Sequence, residues 1–139
     1  MLQNRVCAIV ALVTVLLFVG CGSGDSDLVQ FKGRVTLDGG PWPEPGFITL
    51  AGDQRPVSVP FDKQGYFDAF AYQGKQGLYP GTYRIGIECW EVQPTFDDPS
   101  AGKSAVPEKF HSPGTSELEV TIEEGKPIRD FVLDIPTSE

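Results

Sequence analysis

Histidine, cysteine and asparagine are scarce in this chain of 139 residues. A single histidine, His111, argues against a zinc site, which normally takes three or four nitrogen or sulfur ligands. No serine lies in a nucleophile-elbow sequence, so a serine–histidine–carboxylate triad has no sequence support. Asn4 is the only asparagine, which excludes a lysine–asparagine crosslink from the rest of the chain. These absences predict a protein that is not an enzyme and uses no metal and no cofactor, with His111 a solvated loop residue.

Basic residues are also in the minority, with 11 Lys and Arg against 19 Asp and Glu and a net charge of −8. A chain this acidic is not expected to bind nucleic acid by neutralising phosphates, nor to be attracted to anionic lipid. Asp62 and the pair Asp97 and Asp98 offer oxygen ligands in predicted loops, but closely spaced carboxylates are too few for a calcium-binding loop. We expect these residues to form turns, and a bound calcium ion stays an open alternative.

Helical patterning is missing after residue 20. No stretch repeats apolar residues at spacings of three and four, whereas short runs of alternating apolar and polar residues occur between turns. One such run places Tyr83, Ile85, Ile87 and Cys89 on a single face. About seven runs of this kind predict an all-β fold, an antiparallel β-sandwich. Its core is expected to contain the following side chains: Phe31, Val35, Ile85, Ile87, Val120 and Leu133.

Residues 6–20 depart from this pattern, because they form a nearly continuous apolar run. The run is shorter than the roughly 20 residues of a membrane-spanning helix. It follows Arg5 and ends at the small residue Gly20, which is the layout of a secretory signal peptide. We therefore predict a signal peptide at residues 1–20. An ordinary secretory signal without lipid and a single membrane anchor are the alternatives.

The segment Phe-Val-Gly-Cys at residues 18–21 resembles the lipobox of bacterial lipoproteins, although that family favours leucine at the first position. The resemblance implies cleavage before Cys21 and attachment of diacylglycerol to its thiol, which would anchor the exported protein to a membrane of the cell envelope. Two acyl chains give a stable anchor, since each buried methylene contributes about 0.8 kcal/mol. Residues 21–27 are then a flexible polar tether. Gly22 stands where an inner-membrane retention signal has Asp, which favours the outer membrane.

Cys89 and Tyr83 are expected to serve the core. Cleavage would remove Arg5, the only charged residue before Cys21, and leave a net charge of −9. With Cys21 acylated, Cys89 has no cysteine partner, so no disulfide is expected and Cys89 is predicted to be a buried, unreactive thiol. Tyr83 is expected to fill the core and to bond its hydroxyl to backbone at a corner of the sandwich.

Three segments resemble the carboxypeptidase regulatory-like domain, which is a transthyretin-like (prealbumin-like) sandwich. They are Gly-Arg-Val-Thr-Leu-Asp-Gly-Gly-Pro at residues 33–41, Asp-Lys-Gln-Gly-Tyr-Phe at residues 62–67 and Gly-Leu-Tyr-Pro-Gly-Thr-Tyr-Arg-Ile at residues 77–85. The resemblance implies one sandwich domain over residues 28–139. Residues 106–118 are similar to small bacterial lipoproteins of unassigned function that carry this domain, so the resemblance indicates a fold and leaves the function open.

Aromatic side chains are the remaining candidates for a binding site. Trp42 lies between prolines and Trp90 projects from the outer face of its predicted strand, so both could stack on a sugar or a peptide, with Tyr72 or Tyr79 beside them. The same side chains could instead cover the ends of the core. Residues 92–116, an irregular stretch with four prolines, are the candidate functional loop.

Two functional hypotheses follow. The first is a non-catalytic, lipid-anchored envelope module for protein interaction or structural support. The second is a surface carbohydrate-binding module that uses Trp42 and Trp90. The predicted partners are accordingly a membrane, through Cys21, and an envelope protein or a glycan.

Overall fold

The computed structural model describes residues 27–138, which form nine β-strands and three short 3-10 helices. No α-helix occurs among these residues, and none of their helices is long and apolar enough to cross a membrane. The strands in chain order are β1 (Phe31–Leu37), β2 (Gly46–Ala51), β3 (Val57–Phe61), β4 (Tyr66–Asp68), β5 (Gly81–Glu88), β6 (Trp90–Val92), β7 (Lys103–Ser104), β8 (Leu118–Ile122) and β9 (Ile128–Ile135). The 3-10 helices lie at Tyr72–Gly74, Pro99–Ala101 and Glu108–Phe110.

Seven of the strands form two sheets that enclose one hydrophobic core. The first sheet has three strands in the order β4-β1-β9, and the second has four in the order β3-β2-β5-β8. Side chains from both sheets belong to a single buried cluster, as in a β-sandwich. The prediction of an all-β sandwich of about seven strands is confirmed. The remaining strands, β6 and β7, pair only with each other.

One strand pair differs from the expected antiparallel arrangement. β1 and β9 run parallel, with Val35 opposite Leu133 and Leu37 opposite Ile135. Alternation of apolar and polar residues reports which face of a strand is buried, but it carries no information about the direction of the neighbouring strand. The parallel pair could therefore not be derived from the sequence pattern.

The core contains most of the side chains that alternation assigns to it. Phe31, Val35, Ile85, Ile87 and Val120 are buried as expected. Leu133, which was also expected in the core, is only partly buried, because β9 is an edge strand of its sheet. Further members of the buried cluster come from the strands and loops around this set: Val29, Trp42, Ile48, Leu50, Val59, Phe61, Phe67, Leu78, Phe110, Ile122 and Ile135.

Strand pairing gives the sandwich two distinct ends. The described chain begins beside residues 69–80, because Val29 pairs with Leu78. Gly52 lies next to the carbonyl of Thr82, so the loop at 52–56 belongs to this same end, which we call the N-terminal end. β6 and β7 follow the other end of β5. Together with the intervening loop they form the arm, defined as residues 90–104, and we call this side the arm end.

Candidate functional site

Trp42 does not offer a binding surface. Its side chain is only 3% exposed, and the indole N–H donates to the carbonyl oxygen of Val35 at 3.0 Å. The indole ring packs against Phe61, with 4.8 Å between the ring centroids. Burial with a satisfied N–H identifies Trp42 as a core residue of the arm end, which corrects its assignment as a ligand-binding residue.

Trp90 is half-buried at the base of the arm. Its indole N–H donates to the carboxylate of Glu88, and its ring centroid lies 6.0 Å from that of His111. Because Trp42 is inside the core, the structure does not bring the two tryptophans together on an exposed surface. The exposed surface carrying both tryptophans, on which the carbohydrate hypothesis depended, is therefore not formed by Trp42 and Trp90.

Tyr79 lies at the N-terminal end, away from both tryptophans, and lines a cavity of about 460 Å³. The cavity is bordered by the loop at 52–56 and by residues 69–80, and we call it the N-terminal cavity. Tyr72 belongs to the 3-10 helix in the second of these segments, but its side chain lies outside the described part. The full lining is Gln54, Arg55, Val57, Ala71, Gln73, Lys75, Leu78, Tyr79 and Tyr83.

Tyr83 joins the N-terminal cavity to the core. Its ring is buried, and its hydroxyl donates to the carbonyl oxygen of Tyr79 at 2.8 Å, which confirms the expected corner bond. Burial raises the pKa of Tyr83 above its ordinary value, and the negative charge of Asp53 acts in the same direction. The phenol therefore stays protonated and keeps donating to the Tyr79 backbone in ordinary buffers.

Residues 71–77, which border the cavity, have three positive φ angles, at Gln73, Gly74 and Gly77. Gln73 has a φ of +70°, a left-handed conformation that costs a non-glycine residue about 1–2 kcal/mol. The segment is nevertheless held by backbone hydrogen bonds, from Ala71 N–H to the Lys75 carbonyl at 2.7 Å and from Gly77 N–H to the Ala69 carbonyl at 2.9 Å. Strained backbone that is retained by its surroundings is typical of functional sites.

His111 and Ser104 come together at the base of the arm, although 6 residues separate them in the chain. The Ser104 hydroxyl lies 2.9 Å from Nε2 of His111, and the same nitrogen lies 2.8 Å from the carbonyl oxygen of Val106. A carbonyl oxygen can only accept, so Nε2 carries a hydrogen and cannot take the serine proton. The contact between Ser104 and His111 is therefore a structural hydrogen bond. The side chain of His111 is half-buried, which corrects the expectation of a solvated loop residue.

Residues 92–116 divide into two unequal parts. The first part, up to residue 100, is exposed, and Phe96 is 100% exposed at the tip of the arm. The second part packs onto the sandwich, because Val106 and Phe110 enter the core and the Ser116 hydroxyl donates to the Ile85 carbonyl. Only the arm therefore qualifies as the predicted functional loop.

The candidate calcium ligands act as turn residues. One oxygen of Asp98 accepts from the backbone N–H of Ser100 at 3.2 Å and from its hydroxyl at 2.6 Å. Asp62 accepts from the N–H of Tyr66 at 2.9 Å. Among residues 27–138 no group of three or more His, Cys, Asp and Glu side chains is arranged to hold a metal ion.

Cys89 is buried, as predicted. Its side chain is 1% exposed and its thiol donates to the carbonyl oxygen of Glu44 at 3.2 Å. Burial raises the pKa of the Cys89 thiol above its ordinary value, which keeps the sulfur protonated and unreactive.

Comparison with protein-family models, with curated proteins and with solved structures finds no match for this chain. The lipobox and the transthyretin-like resemblance therefore depend on the motifs quoted above. The predicted signal peptide at residues 1–20, the lipidation site Cys21 and the tether up to residue 26 lie outside the described residues, so they stay predictions.

Sequence reasoning missed Gln54, Arg55, Gln73 and Lys75. Their only signal was a polar, glycine-rich composition in the loops that contain them. That these loops share one end of the sandwich follows from the pairing of distant strands, which composition does not report.

Proposed function

We propose that the protein is a non-catalytic, lipid-anchored module of the cell envelope that binds another envelope protein through its arm. The observation that carries this proposal is the polarity of the sandwich: the described chain begins at one end and the arm extends from the other. A tether of residues 21–27 spans at most about 25 Å when fully extended. Diacylglycerol on Cys21 would therefore hold the N-terminal end close to the membrane, and the arm would point away. Gly22, which replaces the Asp of an inner-membrane retention signal, favours the outer membrane.

The tip of the arm has the chemistry of a small docking surface. Phe96 is fully exposed, and burying a phenylalanine in a partner contributes about 1.5–3 kcal/mol. The turn beneath it is held locally, since the Asp98 N–H donates to the Thr95 hydroxyl at 3.1 Å. A turn that is already ordered loses less conformational entropy on binding. The exposed carboxylate of Asp97 beside Phe96 favours a partner whose apolar pocket has a basic rim.

Site-specific photo-crosslinking in intact cells tests this proposal. A photoreactive residue at position 96 is expected to give one discrete adduct. The same residue at position 132, where Val132 is 71% exposed on the outer face of β9, serves as the matched control and should give none. Identical adducts from both positions, or none from position 96, would contradict docking through the arm.

The anchor is tested by metabolic labelling with a clickable fatty acid. The unaltered chain and the Cys89→Ser variant are expected to incorporate the label, whereas the Cys21→Ser variant is not. Label retained in Cys21→Ser would exclude lipidation at this cysteine.

A second candidate function, carbohydrate binding, is supported by the N-terminal cavity. The half-buried ring of Tyr79 offers a surface for the C–H face of a sugar, and the amides of Gln54 and Gln73 can bond its hydroxyl groups. This candidate uses Tyr79 in place of the tryptophans that the sequence suggested. It is compatible with docking through the arm, because the two sites lie at opposite ends of the sandwich.

A further inference from the structure

Phe47 is an exposed aromatic residue at the arm end of the four-stranded sheet. It belongs to β2, and its side chain is 51% exposed on the outer face, whereas Gly46 and Ile48 on either side of it are buried. Glu88 of β5 lies directly opposite Phe47 in the strand register, so the two side chains are neighbours on that face. The exposed residue Pro60 of β3 lies opposite Phe47 on its other side. An apolar ring and a carboxylate therefore stand side by side on the outer surface.

Glu88 connects this surface to the base of the arm. Its carboxylate accepts from the indole N–H of Trp90 at 2.5 Å, and the His111 ring lies beside the indole, with 6.0 Å between the ring centroids. The indole of Trp90 is thereby held in place on two sides, and because it is only half-buried, part of the ring is open to solvent.

The charge of Glu88 is not neutralised within the described part of the chain. Glu44 pairs with Lys63 at 3.2 Å and Glu91 pairs with Lys103, but Glu88 has no ion-pair partner among residues 27–138. An ionised carboxylate has about four lone-pair sites, and the Trp90 indole uses one of them. Glu88 can therefore accept further hydrogen bonds from a cation that another molecule supplies.

We propose that Phe47, Glu88 and Trp90 bind an arginine side chain of the protein that docks on the arm. This inference rests on the proposed docking through the arm and names the chemistry of the partner. A guanidinium group can stack on the indole ring while its N–H groups donate to the adjacent carboxylate, and its aliphatic stem can cover the phenylalanine ring. A lysine ammonium has no planar face to stack, so it matches this combination less well. We call these three residues the arginine site.

The arginine site and the tip of the arm favour the same kind of partner. Each combines an exposed aromatic ring with an exposed carboxylate, Phe47 with Glu88 and Phe96 with Asp97. A basic surface that also carries apolar residues complements both. A second copy of this chain, with its net charge of −8, would instead bring like charges together.

NMR of the two tryptophan indole N–H groups, in the full lipidated and isotope-labelled chain in zwitterionic detergent micelles, tests the inference. The probes are the peptide acetyl-Leu-Arg-Leu-amide and its analogues with citrulline, a neutral isostere of arginine, or lysine in the middle position. The arginine peptide is expected to shift the Trp90 signal and to bind about tenfold more tightly than the citrulline peptide, because charged hydrogen bonds contribute more than neutral ones. It should bind about threefold more tightly than the lysine peptide. The signal of Trp42 should not move, since that indole is buried.

Three variants separate the arginine site from general effects. Glu88→Gln keeps an oxygen acceptor for the indole but removes the charge, so it should weaken the arginine peptide by about fivefold to tenfold and leave the citrulline peptide unchanged. Phe47→Ala should weaken all three peptides by about threefold, because it removes an apolar contact. Glu119→Gln is the matched charge control, since Glu119 is an exposed carboxylate on the outer face of the same sheet, and it should change nothing. An unchanged Trp42 signal in each variant verifies that the core is intact.

The possible outcomes are distinct. A Trp90 signal that does not respond to the arginine peptide, or equal affinity for the arginine and citrulline peptides, would overturn the arginine site. Lysine binding as tight as arginine would overturn the assignment to a guanidinium group. A loss in Glu119→Gln as large as that in Glu88→Gln would mean attraction by overall charge, which also overturns the site. Docking through the arm is judged separately by the crosslink from position 96, so a discrete adduct there combined with a silent Trp90 signal would refute the arginine site alone.

Discussion

At the arm end of the sandwich, the indole of Trp42 closes the core beside β1 and the turn at residues 62–65. The backbone N–H of Trp42 donates to the Lys63 carbonyl at 2.7 Å, and its indole N–H donates to the Val35 carbonyl. Replacing Trp42 by alanine should lower the free energy of unfolding by about 3–5 kcal/mol, because a large cavity forms in the core. Trp42→Phe fills part of that space and should cost about 1–3 kcal/mol, since the Val35 carbonyl loses its donor.

Urea denaturation followed by circular dichroism measures both changes. Phe96→Ala is the control for removing an aromatic ring, because Phe96 is fully exposed, and it should change stability by less than about 0.5 kcal/mol. A Trp42→Ala variant as stable as Phe96→Ala would contradict the core assignment.

Asp38 ties the C-terminal residues to the first turn, and this contact depends on pH. Hydrogen bonds from Thr137 lower the pKa of the Asp38 carboxyl below its ordinary value. The bond from the Thr137 hydroxyl has the larger effect, and the bond from its backbone N–H, at 2.9 Å, adds to it. A carboxyl whose pKa is lower in the folded than in the unfolded protein stabilises the folded contact at pH values above its unfolded pKa of about 3.9. That stabilisation is lost as the pH falls through the pKa of the folded protein. The Thr137 tie should therefore be present above about pH 4 and be released in stronger acid.

The chemical shift of the Thr137 amide, followed by NMR from pH 6 to about pH 2, reports this release. Asp38→Asn removes the titrating group, so the same amide should show no such transition in that variant. A transition of the same size in Asp38→Asn would assign the effect to a different carboxyl.

Among the elements, the turn at residues 62–65 contains the described glycine whose added Cβ would make the shortest contact. Gly65 has a φ of +88°, and a Cβ added there would lie 1.7 Å from the carbonyl oxygen of Val35. Gly39 has a similar φ of +74° but has no atom within 4 Å of an added Cβ. Both Gly→Ala changes incur the left-handed penalty of about 1–2 kcal/mol, and only Gly65→Ala must also displace β1. We expect Gly65→Ala to be at least about 2 kcal/mol more destabilising than Gly39→Ala in denaturant unfolding. Equal losses would mean that β1 moves aside freely.

For the whole molecule, β9 is the strand that completes the sandwich. It pairs with β1 along most of its length, and its last residue, Ile135, is fully buried. A chain that ends after residue 127 should fail to unfold cooperatively, because β1 and the core are left open to water. A chain that ends after residue 135 keeps the whole of β9 and loses the Thr137 tie, so it should still unfold cooperatively and melt within a few degrees of the full chain. Near-UV circular dichroism during heating distinguishes the two, and a cooperative transition in the shorter chain would contradict the role of β9.

The comparison between sequence and structure follows the same scales. The inward positions of Ile85, Ile87 and Cys89 were predictable, because alternation along a strand assigns every second side chain to one face. The Tyr83 corner bond was also predictable, because a tyrosine on the inward face of a strand needs a hydrogen-bond partner for its buried hydroxyl. Trp42 was not, since neighbouring prolines make its backbone extended without indicating whether the ring turns inward or outward.

By itself, the sequence determined the fold class, the inward faces of the strands, the turns at glycine and aspartate, and the excess of negative charge. Each of these depends on residues close together in the chain. The tertiary structure alone decided that β9 lies parallel to β1 and that His111 is hydrogen-bonded to Ser104. It also decided that Arg55 and Lys75 line one cavity while Phe96 lies at the opposite end of the sandwich. These arrangements depend on packing between distant segments, which minimises exposed apolar surface over the whole molecule and leaves no trace in any local pattern.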